Sequence, residues 1–355
     1  MFLALILIDK LFNFFHMNNA TLKQIATQLG ISTTTVSKAL RNYSDISEKT
    51  KKAVIELASQ LNYTPNSFAV NLRTSESKTI GVIIPTIDFQ FFSKVFKGVL
   101  EEAEKRDYMV IVLCSNEKLE LEKKQIDLLL SKRVDGIIIS LSNETGDFDH
   151  IKKILAHNTS LVLFDKIAKL VNCSKVSIND RKAAYEAVDY LIKKGRKKIA
   201  HFRGSYMPQN SIDRFLGYKK ALEDNGITYD SSLVYVCDGL SDFEDGYATA
   251  KIACEQHPDL DAIFTVTDLV AVGVLKYLQN LAIPVPQQIA VFGFCNSFLS
   301  EITTPKLSTV DQPGFEIGRK AAEILFEEIQ LKKEKQPITF QTIELQTSLL
   351  QRGSA

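Results

Sequence analysis

Residues 21–42 read TLKQIATQLGISTTTVSKALRN, and the punctuation of this run decides how the first part of the chain folds. Thr21 followed three residues later by Gln24 has the form of a capping box, in which a hydroxyl and a side-chain amide satisfy backbone donors at a helix start. The spacing predicts a helix over 22–29, ended by Gly30 in the left-handed conformation, and a second helix over 33–40 capped by Ser32. Leu22, Ile25, Ala26 and Leu29 form one apolar stripe and Val36, Ala39 and Leu40 another, so the two helices pack across a tight turn. Small Ala26 permits close approach, while Thr33, Thr34, Thr35 and Lys38 keep exposed faces. A third helix over 48–61, capped by Ser47, puts Val54, Leu57, Ala58 and Leu61 inward and closes the bundle. The pattern is a helix-turn-helix.

Charge is distributed to match. The 355 residues carry a formal net charge of only +1, yet from Asn18 to Lys78 there are eight basic residues against four acidic ones, an excess suited to neutralising phosphates. Composition, at 45% hydrophobic and 24% charged residues, is that of an ordinary globular protein, and the length asks for more than one compact unit. The five cysteines, Cys114, Cys173, Cys237, Cys254 and Cys295, never approach zinc or redox spacing and read as free thiols of a reducing compartment. The apolar opening MFLALILIDKLFNFFHM has neither the basic start and cleavage site of a secretory signal nor the length of a membrane span. A start assigned too early, with Met17 the initiator, is the expectation, and an apolar helix used in assembly is the alternative.

From Thr79 the rhythm changes. IGVII, then Phe92, Val95, Phe96, Val99, Leu100 and Ala103 at helical spacing, then MVIVLC, a helix through Leu128 to Leu130, and GIIIS read as repeated strand-helix-strand units. The rhythm restarts after Lys175 with VSI, a helix over 183–194, KIAHF, a helix over 214–225, and later AIFTV and IAVFGF. Two doubly wound halves with parallel sheets follow, each covered on both faces. Open parallel sheets bind ligands beyond the carboxyl ends of their strands, so two facing halves enclose a cleft.

Taken together, TLKQIATQLGISTTTVSKALRN, ISEKTKKAVIELASQLNYTPNSFAVNLR and TIGVIIP, in this order and spacing, resemble the lactose, galactose and purine repressor family of bacterial transcription regulators. The resemblance runs through nearly the whole chain. It implies an all-α helix-turn-helix domain at 18–64, a hinge helix and linker at 65–78, and a two-lobed periplasmic-binding-protein-like core at 79–355. The N-lobe is then about 79–164 plus 297–331, and the C-lobe about 165–296 plus 332–355, with 1–17 outside the domains. It puts Thr33, Thr34 and Lys38 at base-reading positions and makes Thr21, Ser32, Thr35, Ser37 and Arg41 candidate DNA contacts. The chemistry suits them, since a lysine donates to guanine acceptors and threonines offer a hydroxyl or a methyl. Asn66, Ala69 and Leu72 fall on the hinge helix, where Leu72 is the wedge that opens a base step from the minor groove.

The same resemblance places Asp88, Phe91, Phe92, Asp165, Asn210, Arg214, Phe243, Thr267, Asp268 and Cys295 at the effector pocket. One of Phe91 and Phe92 is expected in the core. Aromatic faces with a few hydrogen-bonding groups suit a sugar or nucleoside-like ring, and Arg214 is the leading donor. Cys295 is a departure, because many relatives carry an acidic residue there that a thiol cannot replace, unless neighbouring Asn296 compensates.

A transport protein shares such a core but has no use for a basic helix-turn-helix. The phosphate-binding glycine motifs, the G-x-S-x-G elbow and histidine-carboxylate metal spacing are all missing from the sequence, so no catalytic residue, metal or cofactor is expected. The expectation is a cytoplasmic homodimeric repressor on a near-palindromic operator in double-stranded DNA, controlled by a small molecule and independent of membranes.

Overall fold

A computed structural model describes residues 20–63, 76–237 and 242–355. The expectations for 1–17 and for Asn66, Ala69 and Leu72 lie outside the described residues. The chain divides into two compact units, residues 1–76 and 77–355.

In the first unit, α1 (Leu22–Leu29), α2 (Thr33–Leu40) and α3 (Glu48–Gln60) begin where the caps predict. The Thr21 amide donates to Gln24 Oε1 at 2.7 Å and the Gln24 amide returns to Thr21 Oγ1 at 3.3 Å, so the capping box is complete. Gly30 ends α1 at φ +64°, a backbone conformation cheap only without a Cβ. Ser32 and Ser47 accept from the Thr35 and Thr50 amides. Ile25, Ala26, Val36, Ala39, Val54 and Ala58 form the core. A core this small makes each large aliphatic side chain, worth about 1.5–3 kcal/mol when fully buried, count heavily.

The second unit holds two six-stranded sheets. Its elements run β1 (Thr79–Ile84), α4 (Gln90–Glu104), β2 (Met109–Cys114), α5 (Leu119–Ser131), β3 (Gly136–Ile139), α6 (Asp149–Ala156), β4 (Ser160–Phe164) and β5 (Ser174–Ile178). There follow α7 (Asp180–Lys193), β6 (Ile199–Arg203), α8 (Gln209–Asp224), β7 (Val234–Val236), α9 (Asp242–Gln256), β8 (Ala262–Thr265), α10 (Asp268–Asn280) and β9 (Ala290–Phe294). The last are α11 (Leu299–Ile302), β10 (Ser308–Asp311), α12 (Gly314–Lys333), β11 (Thr342–Leu345) and β12 (Ser348–Leu350). The first sheet has strand order β11-β5-β4-β3-β1-β2 and is parallel throughout; the second has order β12-β10-β9-β8-β6-β7, with only β12 antiparallel. Near-continuous burial along β1, β3, β4, β6, β8 and β9 reflects helices on both faces, which explains why these strands read as unbroken apolar runs.

The lobes differ from the sequence expectation at their edges. β5 does not open the second half: it pairs in parallel with β4, Val162 opposite Ser174, and with β11, Thr342 opposite Lys175. Residues 297–311 go the other way, since β10 pairs with β9. The segment 332–355 is split, β11 to the first sheet and β12 to the second. The chain therefore passes between lobes three times, after β5, after β10 and after β11. A strand-helix rhythm reports that strands alternate with helices, and the two sheets share that rhythm, so it cannot mark the crossings. In the first lobe α4 and α12 cross at Gly98 and Gly318, where any Cβ would collide with the facing backbone at Phe315 and Val95.

The helix expected at 214–225 begins earlier, at Gln209 after extended Pro208, and α7 begins at Asp180 under an Asn179 cap. Among the described residues no helix is long and apolar enough to cross a membrane, no group of side chains is placed to hold a metal ion, and all five cysteines are free.

Candidate functional site

Helix α2 buries Val36 and Ala39, and helical phase then sends Ser32, Thr33 and Thr34 to solvent, with Thr35, Ser37 and Lys38 half-buried and Arg41 exposed. Thr33, Thr34, Ser37, Lys38 and Arg41 surround one open concavity with Leu22 and Tyr43. Thr21 and Ser32 spend their side chains on the caps of α1 and α2. The Lys38 ammonium pairs with Asp45 at 2.5 Å. That contact raises Lys38 above its ordinary value and lowers Asp45. Both groups stand in solvent, where such a pair is easily exchanged for a phosphate or a base edge.

In the second unit a cavity partly open to solvent lies between the lobes. Its lining comes from the carboxyl ends of both sheets: Thr86 follows β1, Glu117 β2, Asn143 β3, Asp165 β4, Gly204 β6, Cys237 β7, Thr267 β8, Cys295 β9 and Gln312 β10. This is the position that parallel topology reserves for ligands.

Seven of the ten expected residues line it: Phe91, Phe92, Asp165, Asn210, Arg214, Thr267 and Cys295. Phe91 and Phe92 are both nearly buried, with ring centroids 5.3 Å apart, so each serves core and cavity. Arg214, in the second turn of α8, is 4% exposed. Its Nε donates to Asp180 Oδ1 at 2.7 Å, Nη1 to the Val266 carbonyl at 2.8 Å, and the guanidinium lies 3.6 Å from the Phe294 ring centre. Among the described residues Nη2 makes no hydrogen bond, so within them the fork keeps a free donor at the cavity. Burial pushes the Asp180 carboxyl up to about 7 against the opposing charge of Arg214. Asp165 sits at φ +54° and is 6% exposed. Burial holds the Cys295 thiol well above its ordinary value; Sγ donates to Gln312 Oε1 at 3.4 Å, and its backbone is held at φ +107°.

Three expected residues are elsewhere. Asp88 is exposed on the loop before α4, and its neighbour Phe89 lines the cavity instead. Phe243 is half-buried at the start of α9, outside the lining, with its carbonyl packed on Gly273 of α10. Asp268 is buried and spends both oxygens on the fold, accepting from the Thr309 hydroxyl at 2.5 Å and the Ser297 amide at 2.6 Å. Asn296 does not compensate for Cys295, because its side chain is tied to Asp311 at 2.8 Å and Arg352 at 2.9 Å.

The sequence reading missed Thr86, Phe89, Glu117, Asn143, Lys166 and Gln312. Most stand within a few residues after an apolar run, so applying the strand-end rule to every strand would have selected them. Lys166 donates to Glu117 at 2.5 Å and Asn143 at 2.6 Å. Across the cleft Lys169 pairs with Asp213 at 2.9 Å, Lys94 donates to the Asn296 carbonyl at 3.0 Å, and the Phe298 amide donates to Gln90. Opening the lobes has to break these contacts and the hydrogen bond from Asn210 to Asp165.

Residues 21–66 match the model of bacterial regulatory proteins of the lacI family, and residues 77–348 match that of periplasmic binding proteins and the sugar-binding domain of the LacI family. The chain is 30% identical to the HTH-type transcriptional repressor PurR of Vibrio atlanticus (strain LGP32) over 345 residues, 94% of this chain and 98% of that one. It is 31% identical over 311 residues to the HTH-type transcriptional repressor CytR of Escherichia coli (strain K12), 88% of this chain and 90% of the other. The structure of the lac repressor dimer bound to operator and an anti-inducer superposes with a TM-score of 0.83 over 95% of this chain and 99% of that one, at 22% identity, a likeness of fold.

Proposed function

Because this chain belongs to the lacI family of bacterial regulatory proteins, we propose that it represses transcription from the cytoplasm as a homodimer whose hold on DNA is set by a small polar ring bound between the lobes. It is a sequence-specific DNA-binding transcription regulator and not an enzyme. Two copies of α2 enter successive major grooves of a near-palindromic operator, with Thr33, Thr34 and Lys38 reading bases and Ser37 and Arg41 on phosphates. Residues 65–78 supply the hinge, with Asn66, Ala69 and Leu72 at the minor groove.

The observation that carries the reading is the cavity at nine strand ends, bridged by contacts that only a closed pair of lobes can make. A ligand that completes this closed state favours it by its differential affinity, and whatever lobe separation the operator-bound dimer requires is biased by the same amount. A sugar or nucleoside-like ring fits, stacking on Phe91 or Phe92 and accepting from Arg214.

Selection of binding sites from random duplexes tests this. The expected product is an inverted repeat, bound with an affinity that falls steeply with salt and changes when a ligand raises the melting temperature of the core. Binding without a consensus, or affinity indifferent to salt, overturns it.

A further inference from the structure

Among the described residues that line the cleft and their ion-pair partners, one carboxylate has no cation. Arg214 is taken by Asp180, and Lys166, the other cation at the cavity, by Glu117. Asp165, 6% exposed, accepts on Oδ1 from two neutral amides, Gln312 Nε2 at 3.1 Å and Asn210 Nδ2 at 3.4 Å. Among the described residues its Oδ2 accepts no hydrogen bond and no cation lies within ion-pair distance of it. Arg203, on β6, is directed to the rings of Tyr206 and Phe215 and does not line the cavity. One carboxylate is therefore left over on the cavity lining, on a nearly buried residue whose backbone is held in the left-handed region, a combination found where a ligand completes the structure.

The rest of the lining agrees on the ligand's charge. Phe89, Phe91 and Phe92 bring three aromatic rings to the lining, and the face of such a ring attracts a cation. The buried Ser211 hydroxyl, also on the lining, has no partner and can accept from a donor. A neutral ring could donate a hydroxyl to Asp165 but would leave the excess charge in place, and an anion would add to it. A cation beside Asp165 would also relieve the crowding of carboxylates that helps push Asp180 up.

Resting on the proposed effector role of this cleft, we propose that its ligand is a polar ring carrying an ammonium group, an amino sugar or an amino nucleoside, with Asp165 as the counter-ion.

The test uses the full chain with matched pairs: D-glucosamine against D-glucose, D-galactosamine against D-galactose, and 5′-amino-5′-deoxyadenosine against adenosine. The amine of at least one pair is expected to raise the melting temperature and to bind about tenfold tighter than its hydroxyl parent. The pair that responds separates amino sugar from amino nucleoside. Asp165→Asn, a residue that tolerates the left-handed backbone, should erase that preference. On the unaltered chain, N-acetylation of the responding amine, which removes the charge, should weaken binding by about the same factor, so the test stands even if the variant does not fold. Hydroxyl parents that bind as well as their amines overturn the inference and leave the effector role intact. If neither class shifts the melting temperature or operator binding, the effector role falls with it.

Discussion

Two ion pairs of similar length sit in the two units of the molecule. Lys38 and Asp45, 2.5 Å apart, keep 40% and 53% of their side chains in solvent; Arg214 and Asp180, 2.7 Å apart, keep 5% and 6%. The first pair is a resting arrangement on a surface that water already solvates, so a phosphate or base can replace Asp45 at little cost. The second has been stripped of water and must stay paired or be strongly destabilising. On the roles proposed above, the DNA-reading face is built to exchange partners, and the ligand-reading cleft to hold its own in place and present what remains, one guanidinium nitrogen and one carboxylate oxygen.

The largest effect that would sharpen this contrast is expected at Arg214. Arg214→Ala abandons Asp180 in the core and should cost about 3–5 kcal/mol of unfolding free energy in urea, with loss of any ligand response; a loss under about 1 kcal/mol would erase the distinction between the pairs. Next is a pH effect at Asp268, whose carboxyl burial pushes up to about 6. Below about 4 both folded and unfolded chains hold this proton, and between about 4 and 6 only the folded chain does, so its contribution to stability falls as pH rises through that window. Asp268→Asn, which does not titrate, should therefore gain about 2 kcal/mol relative to the unaltered chain between pH 4 and 7. A constant difference across those pH values contradicts the assignment.

On the DNA side, Lys38→Ala should lower affinity for the selected operator about tenfold and relax base preference at the position it reads. Asp45→Ala should do the reverse, strengthening binding slightly and steepening the salt dependence by about one unit. An unchanged base preference in the Lys38 variant removes α2 from the recognition role. The smallest effect is at the capping box: Thr21→Ala should destabilise the first unit by about 1 kcal/mol and leave the melting of the core where it was.

The same contrast explains what could be read without a structure. All three helices of the first unit were legible to within a residue, because caps, glycine and apolar phase are local signals and the exposed face follows from them. In the core, the strands were legible and the lobe boundaries were not, since the pairing of β5 with β4 and β11 joins segments far apart in sequence. The cleft was read in part. Asp165, Arg214 and Cys295 stand where family likeness and strand ends agree. Asp268 was misplaced because a carboxylate beside a strand end has two possible employments, and only Thr309 and Ser297, from other segments, show that this one serves the fold. Glu117 and Lys166 went unnoticed because neither means anything until the other is beside it.

The three crossings between lobes also decide how the molecule can be subdivided. Neither lobe is a continuous stretch of chain, so no truncation isolates one. A gene fragment that stops before residue 342 would strip β11 from one side of the first sheet and β12 from one side of the second, leaving buried β5 and β10 as raw edges with unpaired backbone groups, the template on which chains aggregate. Studying the ligand-binding half alone therefore requires starting near residue 77 and retaining the final strands of both sheets.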